Sequence, residues 1–276
     1  MEARKAGKDA RGATVVAVEE VAERMRRLHL RLDAPSTFPL LPHTDSYVKV
    51  LIPPPDADDA WPVDPEGIRA SRDVDPGPTR RTYTIRSLDA ASGELSIDIH
   101  VHEGGGAAGP WVTALRPGAP VGLLGPGGTW CPDPAAAHLL LIGDGSALSA
   151  ISVTLERMPE GASAEVFVEA DDPSLRALIP DVPNVAVTWV DTAGSLPGSR
   201  LVLAVTSAHP RVGDAEVFLH GNAEMVRDLR RYLLGERGLD RAALSASGYW
   251  RHGCTDEEWR AQKKEFNARM EGDLGG

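Results

Sequence analysis

Residues 138–146 read His-Leu-Leu-Leu-Ile-Gly-Asp-Gly-Ser, and the character of the chain changes at this stretch. The apolar run 138–142 predicts a short buried strand, and the turn 143–145 leads into a helical pattern over 146–158. A strand, a glycine turn and a helix in this order are where α/β domains hold a nucleotide phosphate. An ordinary tight turn between strand and helix has the same sequence features, so both interpretations stay open.

Upstream of this stretch the sequence predicts strands. The segment 95–102 alternates strictly, with Leu95, Ile97, Ile99 and Val101 on one side. Such alternation is typical of a strand that is buried on one face. Six segments of this kind predict a small antiparallel barrel. They cover 14–19, 26–32, 46–52, 80–88, 95–102 and 120–124, and a long loop rich in Pro, Asp and Gly is predicted over 53–78.

Downstream, strands alternate with helices, which predicts a parallel α/β sheet. The further strands are predicted at 165–168, 185–190, 201–205 and 217–220. An amphipathic helix over 222–237 is predicted to begin at the cap Asn222 and to end before Gly238. A last helix is predicted to begin with a capping box at 255–258. We therefore expect a barrel domain over 1–133 and an α/β domain over 134–276.

Composition narrows the class of protein. The chain has 276 residues, 42% of them hydrophobic, which is enough to build real cores, and a formal net charge of −11. Such an acidic chain is not expected to bind nucleic acid, because that needs a basic surface. Neither a membrane span nor a signal peptide is apparent, so we expect a cytoplasmic protein. We also expect a monomer. The cysteines and histidines lack metal-site spacing, so no metal site is predicted.

The strongest local motif is Arg81-Thr-Tyr83-Thr84-Ile-Arg86. On a strand, Arg81 and Tyr83 project to one side and Thr84 and Arg86 to the other. An arginine can pair with a pyrophosphate, a tyrosine can lie against a flat ring, and a threonine can hydrogen-bond a ring nitrogen. The alternative is an exposed strand with alternating polar residues.

Two further motifs could contact a nucleotide. Residues 103–111 read Glu-Gly-Gly-Gly-Ala-Ala-Gly-Pro-Trp and precede a predicted short helix, whose first amides could bind a diphosphate. The alternative is a flexible hairpin loop. The segment Ser247-Gly-Tyr-Trp-Arg251 follows a predicted strand end, and its aromatic rings and arginine could stack on a flavin and contact an anion. A domain-closing aromatic cluster would have the same sequence.

With these motifs in place, the chain resembles the siderophore-interacting protein family of ferric-siderophore reductases, the vibriobactin-utilisation type, over nearly its whole length. The carriers of the resemblance are 46–50, 81–86, 98–102, 122–127, 143–151 and the C-terminal run from 229 through 238–240 to 247–251. The resemblance implies a six-stranded antiparallel Greek-key flavin-binding barrel followed by a parallel α/β nucleotide-binding-like domain with a C-terminal helix.

The resemblance also implies roles for individual residues. No catalytic side chain is expected, because the flavin carries the chemistry. The FAD contacts would be Arg81, Tyr83, Thr84, Asp98, His100, Val101, His102, Ala108, Gly109, Trp111, Asp144, Ser146, Tyr249 and Trp250. The anionic ferric siderophore would meet Lys49, Arg86 and Arg251. The sequence departs from the family pattern at Gly145, at Asn222 and at Gly127, where an arginine is often found.

The activity implied by the resemblance is FAD-dependent reduction of a ferric siderophore, with release of Fe(II). The electron donor would be NADH, NADPH or reduced ferredoxin. Glu169, Asp171 and Asp172 follow the second α/β strand, where a carboxylate would favour NADH by repelling the 2′-phosphate of NADPH. Acidic loop residues without a ligand are the alternative. Two other functions stay open: a general flavin-dependent NAD(P)H or ferredoxin reductase, and a non-catalytic siderophore-binding protein, which would be colourless.

Overall fold

The computed structural model describes residues 9–54, 66–67, 77–101 and 106–272, and its contacts divide the chain into two compact units after Cys131. Most of the predicted loop 53–78 and the predicted site residue His102 lie outside the described residues. Within the described ranges, no helix combines the length and the hydropathy that a bilayer crossing requires.

The first unit is a closed antiparallel barrel of six strands in the order β1-β2-β5-β4-β3-β6. Its elements are β1 (Ala10–Ala22), β2 (Met25–Leu32), β3 (Tyr47–Ile52), β4 (Thr79–Asp89), β5 (Glu94–His100), α1 (Ala108–Ala114) and β6 (Pro120–Gly127). The predicted alternation in β5 is confirmed, since Leu95, Ile97 and Ile99 are fully buried in the barrel core. Closure leaves each strand one face for this core and one for solvent or a ligand.

The second unit is a parallel sheet of five strands in the order β11-β10-β7-β8-β9. Its strands are β7 (His138–Asp144), β8 (Ser163–Glu169), β9 (Val185–Val190), β10 (Ala215–Asn222) and β11 (Leu244–Trp250). Its helices are α2 (Leu148–Glu156), α3 (Ser199–Ala208), α4 (Ala223–Arg231) and α5 (Asp256–Gly272). The strand order reverses direction between β7 and β10, which is the switch point where such sheets bind ligands.

One predicted strand is wrong. The segment 201–205 lies inside helix α3, where Leu201 and Val205 are fully buried one helical turn apart while Leu203 is 65% exposed. A short apolar run can be buried equally well as a strand or as a helix, so the pattern alone does not separate the two. The edge of the sheet opposite β9 is formed instead by β11, so the motif 247–251, which was expected after a strand, lies mostly within one.

The two predicted N-terminal helix caps are confirmed, whereas the helix predicted over 222–237 is α-helical only to Arg231 and continues as a π-helical turn over Tyr232–Glu236. The side-chain oxygen of Asn222 accepts hydrogen bonds from the amides of Glu224 and Met225, both at 3.1 Å. At α5, the Thr255 amide donates to Glu258 at 2.7 Å, and the Glu258 amide donates to the Thr255 hydroxyl at 3.2 Å. These are local signals, readable from a few neighbouring residues.

Candidate functional site

The first half of β4 carries the motif Arg81-Thr-Tyr83-Thr84. These residues pair with β3, whereas the pairing of β4 with β5 begins only at Ile85. Tyr83 is half-buried and packs its ring against the edge of the barrel core. The structure therefore places a cation, a ring and a hydroxyl on one short stretch of strand, next to the end of β5.

The end of β5 and the start of α1 both pack against the barrel core. Val101, Ala108 and Trp111 are partly buried against it, as Tyr83 is. Gly109 is buried, and a Cβ there would lie 3.3 Å from the Val101 Cγ1 atom, so the missing side chain lets the helix approach the strand closely. No described side chain caps α1, and its first turn contains no acidic residue. An anion near this end of the helix would meet no carboxylate from the first turn.

Asp98 is already engaged within the barrel. Its carboxylate accepts two hydrogen bonds from Arg27, at 2.7 and 3.0 Å, and its side chain is 3% exposed. The pair joins β2 to β5 in the register Arg27↔Asp98. A bidentate pair has a specific geometry, so this pair gives Asp98 a structural role in holding β2 against β5.

The predicted substrate contacts Lys49 and Arg86 lie on β3 and β4. Lys49 is paired across the ladder with Thr82 and is half-buried, as is Arg86. Tyr47, two residues before Lys49, points to the same face and is paired with Thr84. Tyr47 is not among the site residues predicted from the sequence, although the same period-2 alternation that places Lys49 on the outer face also places Tyr47 there.

In the second unit, Asp144 closes the switch point between β7 and β10. It is 6% exposed and accepts four hydrogen bonds. They come from the Ser146 amide (2.9 Å) and hydroxyl (2.5 Å), the Asn222 amide (2.7 Å) and the Trp250 indole nitrogen (2.8 Å). Burial raises the pKa of Asp144, while these four donors act in the opposite direction.

The closeness of this packing depends on Gly221. Its φ is +136°, and a Cβ at that position would lie 2.6 Å from a carboxylate oxygen of Asp144. The carboxylate thus fills the space between the glycine turn after β7 and the end of β10. The Ser146 amide, which could otherwise meet a phosphate at this turn, donates to Asp144 instead.

Tyr249 and Trp250 are each tied to the sheet. The Tyr249 hydroxyl lies 2.9 Å from the Nδ1 atom of His220, whose other ring nitrogen lies 2.9 Å from the Ser245 hydroxyl. The His220 ring also stacks on Phe218 at 3.8 Å. Burial, with a further contribution from the charge of Lys263, lowers the pKa of His220 to about 3. His220 therefore stays neutral at physiological pH.

Arg251 is held in place by side chains of the α/β unit. Its guanidinium donates to Glu224 at 2.7 Å and to Gln262 at 2.8 Å, and it lies 5.5 Å from the centre of the Phe266 ring. The hydrogen bond to Glu224 raises the pKa of Arg251. The side chain remains 34% exposed, so part of the guanidinium can still meet an anion.

Glu169 at the end of β8, and Asp171 and Asp172 after it, all accept hydrogen bonds within the α/β unit. Glu169 is 4% exposed and accepts hydrogen bonds from the Gly198 amide (2.6 Å) and the Leu201 amide (3.3 Å) at the start of α3. Asp171 accepts from the Thr192 amide and hydroxyl, and Asp172 caps the turn that begins at Pro173. Each of these carboxylates has a structural use, and the preference for NADH that the sequence suggests stays a prediction.

The model of the siderophore-interacting FAD-binding domain matches residues 14–130, and the model of the siderophore-interacting protein family matches residues 136–253. The two matches divide near the boundary between the two structural units.

Individual relatives agree with the family models. An uncharacterised protein of Mycobacterium tuberculosis is 38% identical over 274 residues, covering 95% of this chain and 97% of the relative. The ferric vibriobactin reductase of Vibrio cholerae is 32% identical over 191 residues, covering 67% of this chain and 69% of the relative. A solved siderophore utilization protein from T. fusca is 30% identical, with a TM-score of 0.75 over 90% of this chain and 94% of that one.

Proposed function

We propose that this chain, which belongs to the siderophore-interacting protein family, is an FAD-dependent reductase that releases iron from ferric siderophores. The observation that carries the proposal is the arrangement at the edge of the barrel core, where Arg81, Tyr83 and Thr84 of β4 accompany Val101 and the start of α1. The similarity to a protein named ferric vibriobactin reductase supports the substrate class.

The residues of the barrel unit fit FAD. A diphosphate needs donors and cations, and this end of the barrel offers Arg81 and the first amides of α1, with no acidic side chain in the first turn of that helix. A flavin ring needs a flat apolar surface. Tyr83, which packs against the barrel core, can provide one with its aromatic ring. We propose that Arg81, Ala108 and Gly109 hold the diphosphate and that Tyr83, Thr84, His100 and Val101 adjoin the ring.

The protein's own part in the reaction is to bind and orient FAD and to attract the ferric complex. When bound, FAD would supply the capacity to take up two electrons and to deliver them one at a time. Fe(III) is the substrate, and oxygen ligands hold it more tightly than Fe(II), so reduction weakens the complex. Each oxidised NADH yields NAD⁺, a proton and two electrons, which is enough to reduce two ferric complexes.

Charge near the substrate is proposed to come from individual basic side chains. The chain carries a net charge of −11, so attraction for an anionic complex has to be local. Lys49 and Arg86 are the proposed contacts in the barrel unit. Arg251 is the proposed contact in the α/β unit, where the bonds to Glu224 and Gln262 hold it in one orientation.

A reduced nicotinamide is the proposed electron donor. Because this donor is present in the cytoplasm, we propose that the protein acts there. We propose no contact between its phosphates and the turn at Gly143–Gly145, because the Ser146 amide at this turn already donates to the buried side chain of Asp144. Tyr249 and Trp250 remain proposed aromatic contacts for a ring system. Reduced ferredoxin is the alternative donor.

The decisive experiment is to purify the protein, identify its cofactor and measure ferric reduction. We expect a yellow protein that releases FAD and not FMN, and that forms Fe(II), trapped by a ferrous chelator, from a ferric siderophore when NADH or NADPH is supplied. Colourless protein that does not take up FAD would overturn the proposal in favour of a binding protein. Reduction of quinone or ferredoxin but not of ferric complexes would favour a general reductase.

A further inference from the structure

Tyr47 of β3 lies opposite a glycine on the neighbouring strand β6. Tyr47 is paired with Gly127 of β6, and a Cβ at Gly127 would lie 2.5, 2.6 and 2.9 Å from the Cζ, Oη and Cε2 atoms of the ring. The end of the ring thus occupies the volume that any other residue at position 127 would fill. The ring is held over the backbone of β6 while the residue as a whole stays half-exposed.

The local backbone fixes this contact. The pairing of β3 with β6 shifts register between Tyr47 and Lys49, which pair with Gly127 and Leu124, so β6 contains one extra residue at this point. Such bulges re-aim side chains. Next to it, the Asp45 carboxylate accepts hydrogen bonds from the amides of Thr129 and Trp130, both at 2.9 Å, which ties the chain after β6 to the start of β3.

The ring has functional neighbours. Tyr47 is directly opposite Thr84, and Lys49 is opposite Thr82, so all four side chains share the outer face of the β3–β4 ladder. Directly opposite residues in an antiparallel ladder have Cβ atoms about 4.5 to 5.5 Å apart. Tyr47 therefore shares this outer face with the proposed flavin contact Thr84 and the proposed substrate contact Lys49, and its ring extends toward β6.

We infer that Tyr47, positioned by Gly127, is a specificity-determining contact that favours ferric complexes whose iron ligands are aromatic, catecholate or phenolate, over hydroxamate complexes. A tyrosine ring can stack on or meet the edge of an aromatic ligand, and the adjacent lysine favours its negative charge. A hydroxamate group offers no ring to Tyr47. This inference rests on the proposed function, because it concerns the substrate of the same site.

Four variants test it. Tyr47→Leu removes the ring, and Tyr47→Phe keeps it. Gly127→Ala forces the ring away, and the cost to the fold is small because the atoms in its way are the end of a side chain and Gly127 does not have a positive φ. Gly213→Ala is the matched control, since a methyl group there would meet nothing within 4 Å.

Affinity for a ferric tris-catecholate and for a ferric trihydroxamate complex is measured on the oxidised holoprotein by fluorescence quenching. Removing an aromatic contact of this kind typically weakens binding about three- to tenfold. We expect that loss for the catecholate in Tyr47→Leu and Gly127→Ala, and less than about a twofold change for the hydroxamate. Tyr47→Phe should keep the preference for the catecholate because the ring is still present, whereas Gly213→Ala should match the unchanged protein. Thermal unfolding confirms that each variant is folded.

Equal weakening of both complexes, or no weakening of the catecholate, would overturn the inference. Reduction rates with dithionite-reduced flavin are recorded in parallel. If the unchanged protein binds the catecholate more tightly through Tyr47 but reduces neither complex, the inference holds and the proposed function fails. If it reduces both complexes without discrimination by Tyr47, the proposed function holds and the inference fails.

Discussion

At the scale of single residues, Arg81 lies two positions before Tyr83 on β4 and is the proposed partner of the FAD diphosphate. If it pairs with the FAD diphosphate, Arg81→Ala should weaken FAD binding by about 1.5 to 3 kcal/mol, the usual range for a hydrogen bond to a charged group. Titration calorimetry of the apoprotein with FAD measures this. The control is Arg80→Ala, an exposed arginine one position earlier on the opposite side of the strand. Equal losses in both variants would mean that general charge, and not Arg81, holds the cofactor.

His220 predicts a pH dependence of stability. Its pKa is lowered from 6.5 to about 3 by burial in the folded protein, whereas the unfolded chain takes up a proton near pH 6.5. The stabilisation that depends on neutral His220 is therefore fully present above pH 6.5 and is lost as the pH falls. The free energy of unfolding should drop by about 2 kcal/mol between neutral pH and about pH 5 from this residue.

Urea unfolding at a series of pH values measures this loss. His220→Gln keeps a polar group beside Tyr249 and Ser245 but does not titrate, so its stability should change less over the same pH range. If the two proteins show the same pH slope between pH 7 and pH 5, other groups cause the loss and the environment assigned to His220 is wrong.

At the scale of elements, helix α3 depends on a carboxylate from a neighbouring strand. Glu169 of β8 accepts hydrogen bonds from two buried amides at the start of α3. Glu169→Ala leaves those amides without their acceptor and should lower the free energy of unfolding by about 1 to 3 kcal/mol. It should leave the ratio of NADH to NADPH activity unchanged, because the carboxylate is committed to the helix.

Asp171→Ala provides the comparison for this element. The hydrogen bonds of Asp171 to Thr192 lie on the exposed surface, so its loss should cost under about 1 kcal/mol. Chemical denaturation reports the stabilities, and initial rates with each nicotinamide report the ratio. A shift toward NADPH in Glu169→Ala would mean that this acid faces the donor after all.

At the scale of the whole molecule, a net charge of −11 opposes the approach of an anionic substrate. Salt screens this repulsion and also the local attraction by Lys49, so the two effects partly cancel. Raising the ionic strength about tenfold should therefore increase the apparent KM for an anionic ferric complex by no more than about fivefold, which corresponds to roughly 1 kcal/mol of exposed pairing. Initial rates with a neutral ferric complex serve as the control. A much steeper salt dependence would indicate an extended basic surface.

Short-range sequence patterns by themselves determined many of the strands, helices and helix caps of this protein. The alternation in β5, the caps at Asn222 and at 255–258, and the apolar face of α4 each involve residues within a few positions of one another. Such patterns follow from the period of a strand or a helix, and each of them appears in the structure where the sequence predicted it. The change from barrel to parallel sheet was visible for the same reason, because it is a change of period.

Long-range contacts decided the rest. The sequence alone determined that 201–205 is apolar, but only packing against the sheet made it a helix, since burial satisfies a short apolar run in either form. Asp144 reaches partners 78 and 106 positions away, and Tyr47 meets Gly127 on another strand. A residue's type and local pattern say that it can bind a ligand. Folding brings together segments that are far apart in the chain. These long-range contacts decide which carboxylates accept hydrogen bonds inside the protein and which aromatic ring packs on a neighbouring strand.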